Sequence, residues 1–155
     1  MSEYRIEKVR RRVAVSLVGG RTLDGEVFLQ PNARYRSGPQ DPGELFNERD
    51  AFVPLSIGAE THVLLAKDHV TRVQFEADST DVQTGNADVA VEVVFADGTR
   101  VSGQLRLERT DRSRLLDFLN VDHQRFLTLR SASTVYLINR AQVAQVLHRS
   151  PGGSL

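Results

Sequence analysis

The 155-residue chain has no cysteine, which excludes thiol catalysis, cysteine-ligated zinc, iron–sulfur clusters and disulfides. That absence agrees with a reducing compartment, and the expected location is cytoplasmic. No run approaches the about 18 consecutive apolar residues that a membrane helix needs. The opening MSEYRIEKVRRR is charged where a signal peptide would be apolar, so neither membrane spanning nor secretion is expected. Metal-ligand spacing is missing as well: His62, His69, His123 and His148 form no His-x-His or His-x-x-x-His pair. Asp68-His69 and Asp122-His123 are adjacent, and neighbours on a strand or turn rarely face each other. Ser16, Ser56 and Ser102 lack a Gly-x-Ser-x-Gly context, and the Gly20–Gly25 spacing lacks the Lys-Ser/Thr of a phosphate loop. The chain is therefore expected to be no enzyme and to carry no metal or cofactor.

Net charge is missing too, because 20 basic residues balance 20 acidic ones. The balance is uneven along the chain. Arg5, Lys8, Arg10, Arg11 and Arg12 crowd residues 1–12, while 76–88 hold Glu76, Asp78, Asp81 and Asp88 with no base. Among the basic residues only Lys8 and Lys67 are lysine; the arginine forks suit phosphate or carboxylate, and a GC-rich genome gives the same bias. With 40% hydrophobic residues and this length, the chain can bury roughly two-thirds of its unfolded surface without a metal or disulfide.

What the sequence does contain is a repeat. Residues 13–29, VAVSLVGGRTLDGEVFL, overlay 91–107, VEVVFADGTRVSGQLRL, without a gap. Val13, Val15 and Leu17 meet Val91, Val93 and Phe95; Gly20 and Gly25 meet Gly98 and Gly103; Val27 and Leu29 meet Leu105 and Leu107. Further on, Glu44-Leu45-Phe46-Asn47 meets Asp117-Phe118-Leu119-Asn120, Phe52 meets Phe126, Leu64-Leu65 meets Leu137-Ile138, Lys67 meets Arg140, and Val70 and Val73 meet Val143 and Val146. The apolar period within each copy is two, which predicts strands rather than helices.

Each copy reads as a hairpin followed by three short strands, near 52–57, 61–66 and 70–75 in the first and 126–131, 134–139 and 142–148 in the second. Gly20 and Gly98 occupy tight turns; Gly25 and Gly103 sit in mid-strand, where a missing side chain permits a bend or a close approach. Helix is expected only in short pieces, at residues 2–11 and in the DRSRLLDFL stretch of 111–119. The expected organisation is a basic segment 1–12, a first repeat 13–75 with a proline- and glycine-rich loop at 30–51, an acidic linker 76–88, a second repeat 89–148 and a disordered tail 149–155.

The pattern Val15-x-Leu17-x-x-Gly20-Arg21-x-x-x-Gly25, repeated as Val93-x-Phe95-x-x-Gly98-x-x-x-x-Gly103, resembles the first motif of the Sm-like (LSm and Hfq-type) small β-barrel family. Leu65, Val70 and Val73, and Ile138, Val143 and Val146, are similar to the spacing of its second motif, where the family's Arg-Gly pair is replaced by Ala66-Lys67 and Asn139-Arg140. The resemblance covers most of the chain and implies an all-β fold of two tandem five-stranded Sm-like barrels. It also implies rings in which the fourth strand of one barrel pairs with the fifth of its neighbour, and single-stranded RNA binding by residues before the third strand and in the second motif.

The candidate contacts for such an RNA are Arg34, Tyr35 and Arg36 in the long loop, Asn47 and Asn120 ahead of the third strands, and Lys67 and Arg140 in the second motif. Each has a plain structural reading beside it: Tyr35 packed on the barrel between solvated arginines, and the asparagines capping a turn or helix. Sheet-edge pairing depends on backbone alone and survives changes of side chain. The expected function is thus a non-catalytic binding or assembly module, a homo-oligomeric or protein-interaction scaffold built through strand edges, with single-stranded RNA binding as the alternative.

Overall fold

The computed structural model describes residues 9–34, 36–78, 87–107, 115–121 and 124–148. The period-two apolar stretches form ten antiparallel strands. In the first half these are β1 (Val9–Leu17), β2 (Thr22–Leu29), β3 (Phe52–Ser56), β4 (His62–Ala66) and β5 (Val70–Glu76). The second half repeats them as β6 (Ala87–Phe95), β7 (Arg100–Leu107), β8 (Phe126–Ser131), β9 (Thr134–Asn139) and β10 (Val143–His148). One short helix precedes the third strand of each half: α1 (Pro42–Phe46) and α2 (Leu115–Val121).

The likeness of the two halves extends to individual backbone bonds. Leu17 donates to the Arg21 carbonyl and Phe95 to that of Thr99; Val18 donates to His69 and Ala96 to Gln142; Lys67 donates to Ala51 and Arg140 to Arg125. The register slips at Leu17↔Val70 in one half and at Phe95↔Val143 in the other, so the same bulge is built twice. Gly20 and Gly98 carry φ of 91° and 88°, the left-handed values that a tight turn assigns to glycine.

The strands join into one open ten-stranded sheet in the order β10-β6-β7-β8-β9-β5-β1-β2-β3-β4. The chain is thus β-rich with short helices, as the sequence indicates. Two separate closed barrels are not what the ladders form: among the described residues neither half closes on itself by strand pairing, and the two halves share the β9–β5 ladder. Pro54, which has no N–H to donate, lies in a strand whose pairing with β2 is reduced to Glu26↔Ser56.

Several expected boundaries need correction. β1 starts at Val9, so Arg10, Arg11 and Arg12 belong to a strand rather than to a basic terminal segment or a helical turn over 2–11; residues 1–8 lie outside the described residues. The 30–51 segment contains a helix. Asp41 caps α1, its Oδ1 accepting from the Glu44 N–H at 2.8 Å while Glu44 Oε1 accepts from the Asp41 N–H at 2.9 Å. That reciprocal pair, with Pro42 at the first helical position, offsets the propensity cost of so short a helix. Helix α2 runs two residues beyond Leu119, and 111–114 lie outside the described residues. Glu76 and Asp88 are strand residues rather than linker; 79–86 and the tail 149–155 are not described.

Two apolar cores result. The first gathers Val13, Val15, Val27, Leu29, Leu55, Val70 and Val73 with Phe46, and it also takes in Phe126, Val135 and Leu137 from the second half. The second gathers Val91, Val93, Phe95, Leu105, Leu107, Leu129 and Ile138. The mid-strand glycines of the hairpins let the strands close over these cores. A Cβ at Gly103 would sit 2.5 Å from the Arg130 carbonyl oxygen, and one at Gly25 would collide with that of Ser56. Gly103→Ala and Gly25→Ala should therefore each cost about 1–3 kcal/mol, because backbone must move to admit the methyl. Gly58→Ala, which faces open space, should change stability by less than about 0.5 kcal/mol. Urea denaturation of the three variants measures the contrast.

Candidate functional site

The seam between the halves is where side chains with distinctive chemistry converge. Its backbone is an antiparallel ladder from Arg72↔Ile138 through Val73↔Leu137 and Phe75↔Val135 to Glu76↔Thr134. Beyond the ladder, Ala77 donates to the Ser133 carbonyl at 2.7 Å, and the Glu76 carboxylate accepts from Ser133 Oγ at 2.9 Å and Thr134 Oγ1 at 3.3 Å. The fifth strand of the first half thereby covers the fourth strand of the second.

Helix α1 closes the seam from one side. The Phe46 ring meets Phe126 edge-on at 5.4 Å between centroids, and both are fully buried. Next to it, Asn47 holds the start of β8 with both ends of its amide: Oδ1 accepts from the Phe126 N–H at 2.8 Å, and Nδ2 donates to the Phe126 carbonyl at 3.2 Å. On the other side Asn139, also buried, donates from Nδ2 to the Val70 carbonyl at 2.8 Å and the Lys67 carbonyl at 3.3 Å. Its Oδ1 accepts from Ala141 and fixes the turn that follows β9.

The two residues that replace the Arg-Gly pair's glycine position act alike. Lys67 is buried, and its Nζ donates to the Glu48 carbonyl at 3.0 Å and the Leu45 carbonyl at 3.3 Å, at the C-terminal end of α1. Arg140 Nη2 donates to the Leu119 carbonyl in α2. Each base satisfies carbonyls at or just beyond the helix that its own half inserts before the third strand. Desolvation of the Lys67 ammonium, reinforced by the charge of Arg125, holds its pKa below the usual lysine value, against the pull of Glu48 and Asp50.

The other expected contacts disperse. Arg36 grips Glu44 with two nitrogens, Nε at 3.0 Å and Nη2 at 2.5 Å, and donates to the Pro39 and Ser37 carbonyls, so it braces the loop ahead of α1. Arg34 is exposed on a cleft of about 680 Å³ whose other wall includes Gln104, Thr128 and Arg130 of the second half. Tyr35 lies outside the described residues. Asn120 is exposed on α2, unlike its counterpart Asn47.

The two outer edges of the sheet expose what the seam buries. Phe52 is 59% exposed and Leu64 is 69% exposed, whereas their repeat counterparts Phe126 and Leu137 are both 0% exposed. At the opposite edge, Leu116 of α2 and Leu147 of β10 are exposed as well. The repeat alignment pairs Phe52 with Phe126 and Leu64 with Leu137, but it carries no sign of which copy is covered. The one sequence signal of the structural role of Asn139 is its mismatch with Ala66 at an otherwise repeated position.

The contrast between the asparagines is measurable. Asn47→Ala strips a buried N–H and carbonyl of their partner and should cost about 1–3 kcal/mol, while Asn120→Ala should cost less than about 0.5 kcal/mol in a dilute single-chain sample. Lys67→Met should also cost about 1–3 kcal/mol near pH 7, by stripping the Glu48 carbonyl of its ammonium donor while the Leu45 carbonyl keeps only the Glu48 N–H at 3.2 Å. Because the folded chain holds the Lys67 proton less tightly than the unfolded chain, stability should rise as pH climbs toward the ordinary value of 10.5, and Lys67→Met should remove that slope. Denaturant midpoints taken across the alkaline range report both effects.

Compared with known proteins, the chain matches no family model, no curated protein and no solved structure.

Proposed function

We propose that the chain is a non-catalytic assembly module: an oligomeric scaffold whose two free strand edges pair head to tail with further copies of itself. The observation that carries this reading is the β5–β9 seam. It joins a fifth strand to a fourth strand, the pairing that the Sm-like resemblance implies between neighbouring barrels, and it leaves β4 and β10 as the two outer edges. A free fourth-type edge and a free fifth-type edge on one chain are complementary to each other.

The seam serves as a template. Moving its register by the repeat places Val146 opposite Leu64 of the next copy, as Val73 stands opposite Leu137. The exposed Asn120 then stands toward Phe52 of the next copy as Asn47 stands toward Phe126, with Leu119 in the place of Phe46. The docking covers Phe52 and Leu64, whose counterparts Phe126 and Leu137 are buried in the seam. Two barrel-like units per chain, each of Sm-like type, would then repeat around a closed assembly. Four of the seven residues weighed for RNA contact, Arg36, Asn47, Lys67 and Arg140, already hold carbonyl, amide or carboxylate groups of the chain, which favours assembly over RNA contact.

Light scattering tests the reading. The full chain should show a mass that is a multiple of its 17.3 kDa, and Leu64→Asp, which puts a charge on the bare edge strand, should return it to a single chain with unchanged circular dichroism. A single-chain mass for the unaltered protein over micromolar concentrations rejects the proposal.

A further inference from the structure

The same repeat-based transfer brings two histidines face to face. In the seam Phe75 stands directly opposite Val135. The counterpart of Phe75 is His148, fixed by its register against Val91 as Val146 is fixed against Val93. The counterpart of Val135 is His62: Ser56↔His62 in the first half repeats as Arg130↔Val135 in the second. Where two copies meet edge to edge, His148 of one therefore lies opposite His62 of the next. We infer that the junction between chains is protonation-sensitive, forming while this cross-strand histidine pair is uncharged and weakening when both members are protonated.

This inference rests on the edge-pairing reading and adds a condition to it. Histidine is the side chain whose charge ordinarily changes between about pH 5 and 8, and like charges directly opposite on an antiparallel pair repel. The surroundings of each ring offer little to neutralise that charge. His148 has the Ala90 carbonyl 3.2 Å from Nδ1, while the carboxylates on β6, Asp88 and Glu92, are engaged by Arg106 and Arg100. His62 has the Phe28 ring at 5.8 Å and Ser56 across β3; Glu26, opposite Ser56, lies 3.9 Å from Arg10, and Glu60 precedes the strand by two residues. In the seam the corresponding Phe75 lies under the Arg11 guanidinium at 5.1 Å, a fixed cation that an apolar ring accepts and an imidazolium would not. The counterpart of Arg11 is Val89, so β6 adds no guanidinium of its own there.

The junction between chains also lacks the amide that locks the seam. Asn139 ties β9 to the Lys67 and Val70 carbonyls, and its counterpart on the free edge is Ala66, which has nothing to donate. The intermolecular contact is therefore the weaker of the two, and a modest electrostatic penalty is enough to shift it. Protonating both histidines should lower the association constant roughly two- to fivefold per junction, multiplied over every junction that a closed assembly keeps.

Sedimentation velocity over a concentration series at about pH 8 and about pH 5.5, at constant ionic strength and with chelator present, tests this on the full chain. The expected result is assembly at the higher pH and a shift toward the single chain at the lower, with circular dichroism unchanged. His62→Gln and His148→Gln, each of which leaves a single ionisable ring at the pair, should retain assembly at the lower pH, and His69→Gln should behave as the unaltered chain. Equal assembly at both pH values, or the same pH dependence in the His62→Gln/His148→Gln double variant, overturns the histidine pair while leaving edge pairing in place. A single-chain mass already at pH 8 overturns edge pairing, and this inference with it.

Discussion

An unpaired strand edge presents a row of N–H and C=O groups that must find partners or stay in water, and the architecture of this chain is arranged around that constraint. One fourth-type edge, β9, is covered by β5 of the other half, and the cover is thorough: a five-residue ladder, an edge-on phenylalanine pair and two asparagine amides converge on it. The apolar residues along it are accordingly sealed. The matching edge β4 has no such cover, and its Leu64, with Phe52 of the adjoining β3, stands in solvent. Corresponding positions thus pass from well over half exposed to fully buried with the presence of a fifth-type strand and its helix alongside.

Equivalent positions of the two halves carry different duties. Asn47 is spent on the partner half while Asn120 faces solvent; Phe46 became the seam's aromatic anchor while its counterpart is Leu119. Lys67 and Arg140, by contrast, kept the same task of satisfying carbonyls at a helix end, because each half needs that task internally. Residues that serve their own half stayed alike in role, and residues that serve the seam drifted apart. That division separates contacts within a unit from contacts between units without reference to any other protein.

The parts of the fold legible in the sequence are the local ones. Strand periodicity, the turn glycines and the mid-strand glycines report on backbone within a few residues, so β2 to β5 and β7 to β10 fall close to where alternation places them. Helix α1 is masked in the sequence because Pro39, Pro42 and Gly43 read as loop, although Asp41-Pro42-Gly43-Glu44 carries the capping-box spacing that forms there. The β5–β9 ladder was beyond local pattern, since it joins residues more than fifty positions apart and any fifth-type strand fits any fourth-type edge equally in backbone terms. The burial of Lys67 was illegible for a related reason: a lone lysine beside a strand reads as solvated until the helix whose carbonyls it serves is known to exist.

Linking two units in one chain changes the energetics of the two kinds of junction unequally. The seam forms within a molecule, so its partner is always present at high effective concentration and no translational entropy is lost on pairing. Under the proposed assembly, the junction between chains bears that entropy loss and does so with fewer locking contacts. Because each chain has one edge of each type, the proposed contact would be head to tail rather than two-fold symmetric. Such contacts close into a ring only where the rotation per chain divides the circle, and otherwise extend. Under that proposal, a junction weaker than the seam but copying its geometry would allow misjoined chains to separate and rejoin until closure, while the two-unit building block stayed whole.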